Sequence, residues 1–377
     1  MKIILLGTAW PYRGGLASFN ERLITEFIKN GHDAEIITFT VQYPTVLFPG
    51  KTQYSTSPPP FEIKIDRKVN SINPLNWRNT AKEIKGMAPD LLIIKYWMPF
   101  MAPCFSVIAK IVKQNNKTKV ICIADNIIPH ERNFYDNLLT RRFIRQCDAF
   151  VVMSKTVLSD LKKFDQMKPV ALTPHPLFDN FGGKITKGLA CEKLHLDPLK
   201  NYILFFGFVR EYKGLDILLK AFADERLKAL PLELIIAGEY YSGEKECRQL
   251  MEDLKLGDRI IQFNHFIPDE EVKNFFCAAD IVVQPYKHAT QSGVTQIAYH
   301  FDVPMIVTNV GGLSEMVPDN KVGYVVNPKP NEIADALVDF YSNNKKALFI
   351  ENIREEKKRF GWDKMMQTII DLSNKVD

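Results

Sequence analysis

"TPHPLFDNFGGKITKG", residues 173–188, interrupts a regular sequence, after which the same regularity starts again. Its prolines and glycines suit a crossing better than a helix or strand. Upstream, apolar runs alternate with segments of helical spacing: KIILLG (2–7), DAEIITF (33–39), DLLIIKYW (90–97), KVICIAD (119–125) and AFVVMS (149–154). Downstream the pattern returns as YILFFGFV (202–209), LELIIAGE (232–239), RIIQFNHF (259–266), IVVQPY (281–286), PMIVTN (304–309) and VGYVVNP (322–328). Short apolar runs separated by helices are strands of a parallel sheet covered on both faces. Two such series predict an α/β protein of two Rossmann-like, doubly wound domains facing a central cleft. The first domain covers 1–178 and the second 179–360. Two stretches break the rhythm: 42–68, rich in proline, aromatics and lysine, reads as a long excursion, and GGLSEMV (311–317) as a turn.

Bulk properties narrow the function classes. Of 377 residues, 46% are hydrophobic and 25% charged, as in a soluble globular protein. No run approaches the roughly 18 apolar residues of a membrane-spanning helix. The opening MKIILLGTAW is too short in its apolar part for a signal peptide. The six cysteines are scattered, with no Cys-x-x-Cys pair, which argues for a reducing compartment and against a zinc site. A cytoplasmic protein is expected. The net charge of +5 permits contact with phosphates or an anionic surface without requiring it. No nucleic-acid motif and no metal-ligand spacing appears, so nucleic acid, metal and cofactor are all expected to be absent.

Four constellations fall at strand ends, where open parallel sheets bind ligands. WPYRGGLAS (10–18) brings Arg13 beside Gly14 and Gly15, at the start of a helix. It lacks the Gly-x-Gly-x-x-Gly dinucleotide spacing, and a plain tight turn remains an alternative. In FGFVREYKG (206–214), Arg210 and Lys213 precede a helix, an arrangement suited to a diphosphate or to two solvated cations. ATQSGVTQIAYHFDVP (289–304) begins a helix with Thr290, Gln291, Ser292, Gly293, Val294 and Thr295 and no carboxylate, as an anion-binding or an ordinarily capped start would. TNVGGLSEMV (308–317) follows, with Glu315 after a double glycine. ADNIIPHE (124–131) places His130 and Glu131 beyond a first-domain strand.

Taken together, these motifs resemble the retaining glycosyltransferases of family 4, which have the GT-B fold. The likeness runs through WPYRGGLASF (10–19), TPHPLF (173–178), FFGFVREYKGLDILLKAF (205–222), FDVPMIVTNVGGLSEMV (301–317) and FGWDKMMQTIIDL (360–372). It implies metal-independent transfer of a sugar, with retention, from a nucleotide-diphosphate donor such as a UDP- or GDP-sugar. It also implies that the terminal helix, 361–377, packs back onto the first domain. Arg210 and Lys213 would hold the diphosphate and stabilise the leaving group, and His130 would stand near the donor sugar. Gly207, Gly14, Gly15 and residues 290–295 would line the donor site, with Glu315 as a ribose or sugar contact. Arg13 and Glu131 are assigned to the acceptor side, and no protein nucleophile is assigned.

The family carries two glutamates, eight positions apart, flanking this helix start; here Ala289 and Ile297 occupy those positions. The expected product is a polysaccharide or glycolipid, from a glycan or lipid-linked acceptor. A catalytically silent nucleotide-binding or scaffold protein, or a sugar-nucleotide epimerase, are the alternatives. Peripheral contact with the inner face of a membrane is a further expectation. It is placed on Tyr43, Phe48, Lys51, Tyr54, Phe61, Lys64, Arg67 and Lys68.

Overall fold

The computed structural model describes residues 1–44, 52–55, 58–60, 62–128, 134–289 and 292–376. It divides into two compact units, Met1–Pro176 with Gly361–Asp377, and Leu177–Phe360.

In the first unit, seven strands form one parallel sheet in the order β3-β2-β1-β4-β5-β6-β7. They are β1 (Lys2–Leu6), β2 (Asp33–Val41), β3 (Ile65–Asn70), β4 (Leu91–Tyr96), β5 (Lys119–Ala124), β6 (Ala149–Val152) and β7 (Val170–Leu172). Ile3 to Leu6 and Leu91 to Ile94 have no exposed surface, because helices cover both faces of the central strands. The helix Trp362–Ser373 belongs to this unit and packs on the helix Gly15–Lys29. Phe19 meets Trp362 with ring centroids 5.2 Å apart, and Lys119 Nζ donates to the Ser373 carbonyl at 3.0 Å.

The second unit holds a six-stranded parallel sheet in the order β10-β9-β8-β11-β12-β13. Its strands are β8 (Asn201–Phe206), β9 (Leu232–Ala237), β10 (Ile260–Phe263), β11 (Ile281–Gln284), β12 (Met305–Thr308) and β13 (Gly323–Val326). Both sheets grow outward from their first strand, so strand order reverses between β1 and β4 and between β8 and β11. Ligands of doubly wound folds bind beyond the strand ends at such reversals.

The structure departs from the sequence reading at the margins of the sheets. The excursion at 42–68 ends in an edge strand: β3 pairs in parallel with β2, from Ile36 against Ile65 to Val41 against Asn70. In β3 only Val69 is fully buried, so its sequence lacks the continuous apolar run of a central strand. At the opposite edge β7 is three residues long and buries none of them completely. The segment read as a turn contains a short helix, Leu313–Met316.

Candidate functional site

At the β8/β11 reversal the second unit gathers several of the residues singled out above. Gly207, just after β8, has φ +91°, a conformation that favours glycine. A Cβ built on it would stand 2.9 Å from Lys213 Nζ and 3.8 Å from Val294 Cγ2. Thus Gly207, Lys213 and the start of the helix Gly293–His300 share one small space.

Backbone packing sets these positions. A Cβ on Gly238 would lie 2.2 Å from the Gly207 carbonyl oxygen, so the turn after β9 rests directly on the turn after β8. Gly214 has φ +69°, and its missing Cβ would lie 2.0 Å from the Pro285 carbonyl oxygen. That contact seats the 210–214 turn against the end of β11, where the Lys287 amide also donates to the Tyr212 carbonyl at 2.7 Å.

Lys213 is buried, yet among the described residues no carboxylate pairs with it. Its ammonium sits 5.7 Å from the Tyr286 ring centroid. Burial first, and then the nearby Arg210 charge, pull Lys213 down to about 7. Arg210 is exposed, with its guanidinium carbon 4.9 Å from the Tyr241 ring centroid. A buried ammonium and a neighbouring guanidinium that no described carboxylate pairs with form a local excess of positive charge, which an anion would relieve.

The helix Gly293–His300 adds donors without adding charge. Ser292 stands at its cap position but makes no side-chain cap bond, and the first turn holds no acid. The Ser292 hydroxyl lies 3.4 Å from the Tyr286 hydroxyl instead. Thr295 donates to Gln284 Oε1 at 3.1 Å, while the buried Gln284 Nε2 finds no acceptor among the described residues. A Cβ on Gly293 would come 2.6 Å from Phe178 Cε2, so glycine lets that ring pack against the helix start. Ala289 and Ile297, where family glutamates would stand, are both buried.

Glu315 is half-buried in the helix Leu313–Met316. Next to it, Met316 takes a contact from Gln296 Nε2 at 3.3 Å and a hydrogen bond from the Tyr299 hydroxyl at 2.6 Å. In the first unit, Gly14 (φ +100°) precedes the helix Gly15–Lys29, which has neither a side-chain cap nor an acid in its first turn. The Arg13 amide donates to the Gln53 carbonyl at 3.0 Å. His130, Glu131, Thr290 and Gln291 lie outside the described residues. Among the described residues, no cluster of His, Cys, Asp or Glu is arranged to hold a metal ion.

Sequence reasoning missed two groups. Tyr286, Tyr241 and Gln284 were invisible because strand-end aromatics and amides look like core. In the first unit, Lys95 lies buried in β4, with Nζ 2.8 Å from Asp125 Oδ1 and 3.4 Å from the Phe19 ring centroid. His175 also packs against Phe19, edge to face, with centroids 5.2 Å apart. The only signal was a lysine inside an otherwise apolar run.

Comparison with known proteins bears on both units. A family model described as Glycosyltransferase Family 4 matches residues 13–177, and one described as Glycosyl transferases group 1 matches 200–343. Both units thus match glycosyltransferases of the family 4 type. Among curated relatives, the D-inositol 3-phosphate glycosyltransferase of Corynebacterium urealyticum is 25% identical over 244 residues. That match takes in 62% of this chain and 58% of the relative's length. Sucrose-phosphate synthase from Thermosynechococcus elongatus superposes with a TM-score of 0.76 at 16% identity, covering 99% of this chain and 98% of that one. HepE from Anabaena, in complex with UDP-glucose, gives 0.75 at 18% identity, covering 98% of each. These likenesses identify the fold as GT-B, two parallel-sheet α/β domains. Among the described residues of this family 4-type chain, no helix is long and apolar enough to cross a membrane.

Proposed function

We propose that this chain transfers a hexosyl-type sugar, with retention and without a metal or other cofactor, from a nucleotide-diphosphate donor to a glycan or lipid-linked acceptor. The observation that carries the reading is Lys213: an ammonium buried beside Gly207 with Arg210 near it and, among the described residues, no carboxylate paired with either. A diphosphate supplies the missing charge. Charge grows on its oxygens as the sugar leaves, so the same two cations would favour the transition state over the ground state. The uncapped helix start at Ser292–Thr295 offers backbone N–H groups to the same oxygens. HepE, a structural neighbour, binds UDP-glucose, which supports a UDP-sugar as the first donor to try.

A second reading is favoured by Ala289 and Ile297, which put buried apolar side chains where the family has acids. In that reading the chain binds a nucleotide but does not transfer. Calorimetric titration with UDP, GDP and ADP, followed by their sugar conjugates and an assay of donor turnover, separates the two. Saturable binding lost in Arg210→Ala, with turnover of one conjugate, supports transfer. Binding without turnover of any conjugate supports the silent reading, and no binding by the folded chain overturns the diphosphate site itself.

A further inference from the structure

The exposed apolar side chains of the first unit are not scattered evenly. Ile72 and Tyr135, 52% and 45% exposed, line one groove of about 350 Å³, and Leu75 and Leu138, each 70% exposed, stand on the first turns of the two helices whose starts border it. Its floor is Met98, Pro99, Phe100 and Pro103, beyond the end of β4. Its walls are the starts of two helices, Pro74–Met87 with Ile72 and Trp77, and Asp136–Ile144 with Tyr135 and Leu139.

Each helix continues the groove with the same pattern. Leu75, Arg78 and Lys82 are spaced i, i+3, i+7, and Leu138, Arg141, Arg142 and Arg145 are spaced i, i+3, i+4, i+7. Such spacings hold side chains on one face of a helix. Each face therefore runs from an exposed leucine in the first turn to cations one and two turns further on, all of them exposed. Among the described residues none of these five cations pairs with a carboxylate; Arg141 alone has a partner, the Phe164 ring at 5.5 Å.

The surface expected from sequence differs. Of its described members, Lys64 pairs with Glu35 and Lys68 with Glu83 at 2.8 Å. The Tyr43 hydroxyl accepts from Trp97 Nε1 at 2.7 Å, and Tyr54 lies against Tyr12. Phe48, Lys51 and Phe61 lie outside the described residues. Cations already neutralised attract an anionic surface little, whereas unpaired ones beside exposed leucines suit it on both counts.

We infer that this groove and the two leucine-to-arginine helix faces form a docking surface for an anionic lipid bilayer. The leucines and Tyr135 would enter the headgroup region, and Arg78, Lys82, Arg141, Arg142 and Arg145 would meet lipid phosphates. The inference does not depend on sugar transfer and goes beyond it.

The test is co-sedimentation of the full chain with phosphatidylcholine vesicles, with and without phosphatidylglycerol. Binding to the anionic vesicles alone is expected, weakened as salt shortens the screening length. The exposed double variant Leu75→Ser/Leu138→Ser should bind at least about tenfold more weakly. Arg78→Gln/Arg142→Gln should lose about fivefold for each charge removed. Melting temperature and nucleotide titration, neither of which involves these side chains, check that the variants are folded. No pelleting with anionic vesicles, equal pelleting with neutral ones, or binding unchanged in the two folded variants each overturns the inference. Loss of nucleotide binding alongside intact vesicle binding would sink the donor site and leave this surface standing.

Discussion

Lys213 Nζ occupies the space above Gly207, 2.9 Å from where a β-carbon would be. The first residue after β8 is therefore part of the cation site, although it has no side chain to contribute. Gly207→Ala would push the ammonium away and strain a backbone at φ +91°. Nucleotide affinity, measured by calorimetry, should fall at least about tenfold, and unaltered affinity would remove Lys213 from the ligand's neighbourhood.

Arg210→Ala and Lys213→Ala should each lower donor turnover by more than about tenfold, the scale of losing one charged contact to a developing negative charge. The proteins should stay folded, since Arg210 is exposed and removing Lys213 relieves a buried charge. Full turnover in either variant would cancel that residue's role.

Lys213 also makes nucleotide binding sensitive to pH. Its pKa of about 7 means that the free protein loses this charge as pH rises through neutrality. A bound diphosphate favours the charged form, so binding above that point takes up a proton. Affinity should decline with rising pH by at most about tenfold per unit. The measured heat should also vary with the buffer's ionisation enthalpy. A flat profile would show that Lys213 keeps its charge or never meets the ligand.

His175 gives a separate pH effect, on stability. Burial first, and then Lys95, hold it down to about 3, against an ordinary value of about 6.5. Above about 6.5 it is neutral in both folded and unfolded chains and contributes no pH dependence. As pH falls below that, the unfolded chain gains a proton that the folded one refuses, so stability drops. Between pH 6.5 and 5 the loss should be about 2 kcal/mol. Urea unfolding of His175→Gln should lack this component; an identical slope in both proteins would contradict the assignment.

Asp125 neutralises the buried Lys95. Asp125→Ala would strand that ammonium and should cost about 3–5 kcal/mol in urea unfolding, whereas Lys95→Met/Asp125→Leu should cost far less. Equal losses would mean that the pair matters through packing rather than charge.

The central architecture was legible because strands buried on both faces leave unbroken apolar runs, as in Ile3–Leu6 and Leu91–Ile94. Edge strands escape that logic: β3 buries only Val69 fully, and β7 is too short to form a pattern. At the site, Arg210, Lys213 and Gly293 stood out as charges and glycines in a regular context. Tyr286 and Gln284 did not, since a strand ending in an amide and an aromatic is ordinary until its neighbours are placed around it. The Lys95–Asp125 pair joins a residue of β4 to the residue just after β5, thirty positions on, a proximity that depends on parallel pairing of β4 with β5.

The helix Trp362–Ser373 has a consequence for how the chain comes to be folded during synthesis. Its Trp362, Met365, Met366, Ile369 and Leu372 are all buried in the first unit, more than 180 residues after that unit's chain breaks off at Pro176. A ribosome that has made residues 1–176 has therefore produced a unit with an open apolar face over Phe19. The second unit, continuous from Leu177 to Phe360, has all its strands before that face can close. The unit that starts first is thus completed last, and its nascent form is the stage at which this protein is most exposed to chaperones and to aggregation.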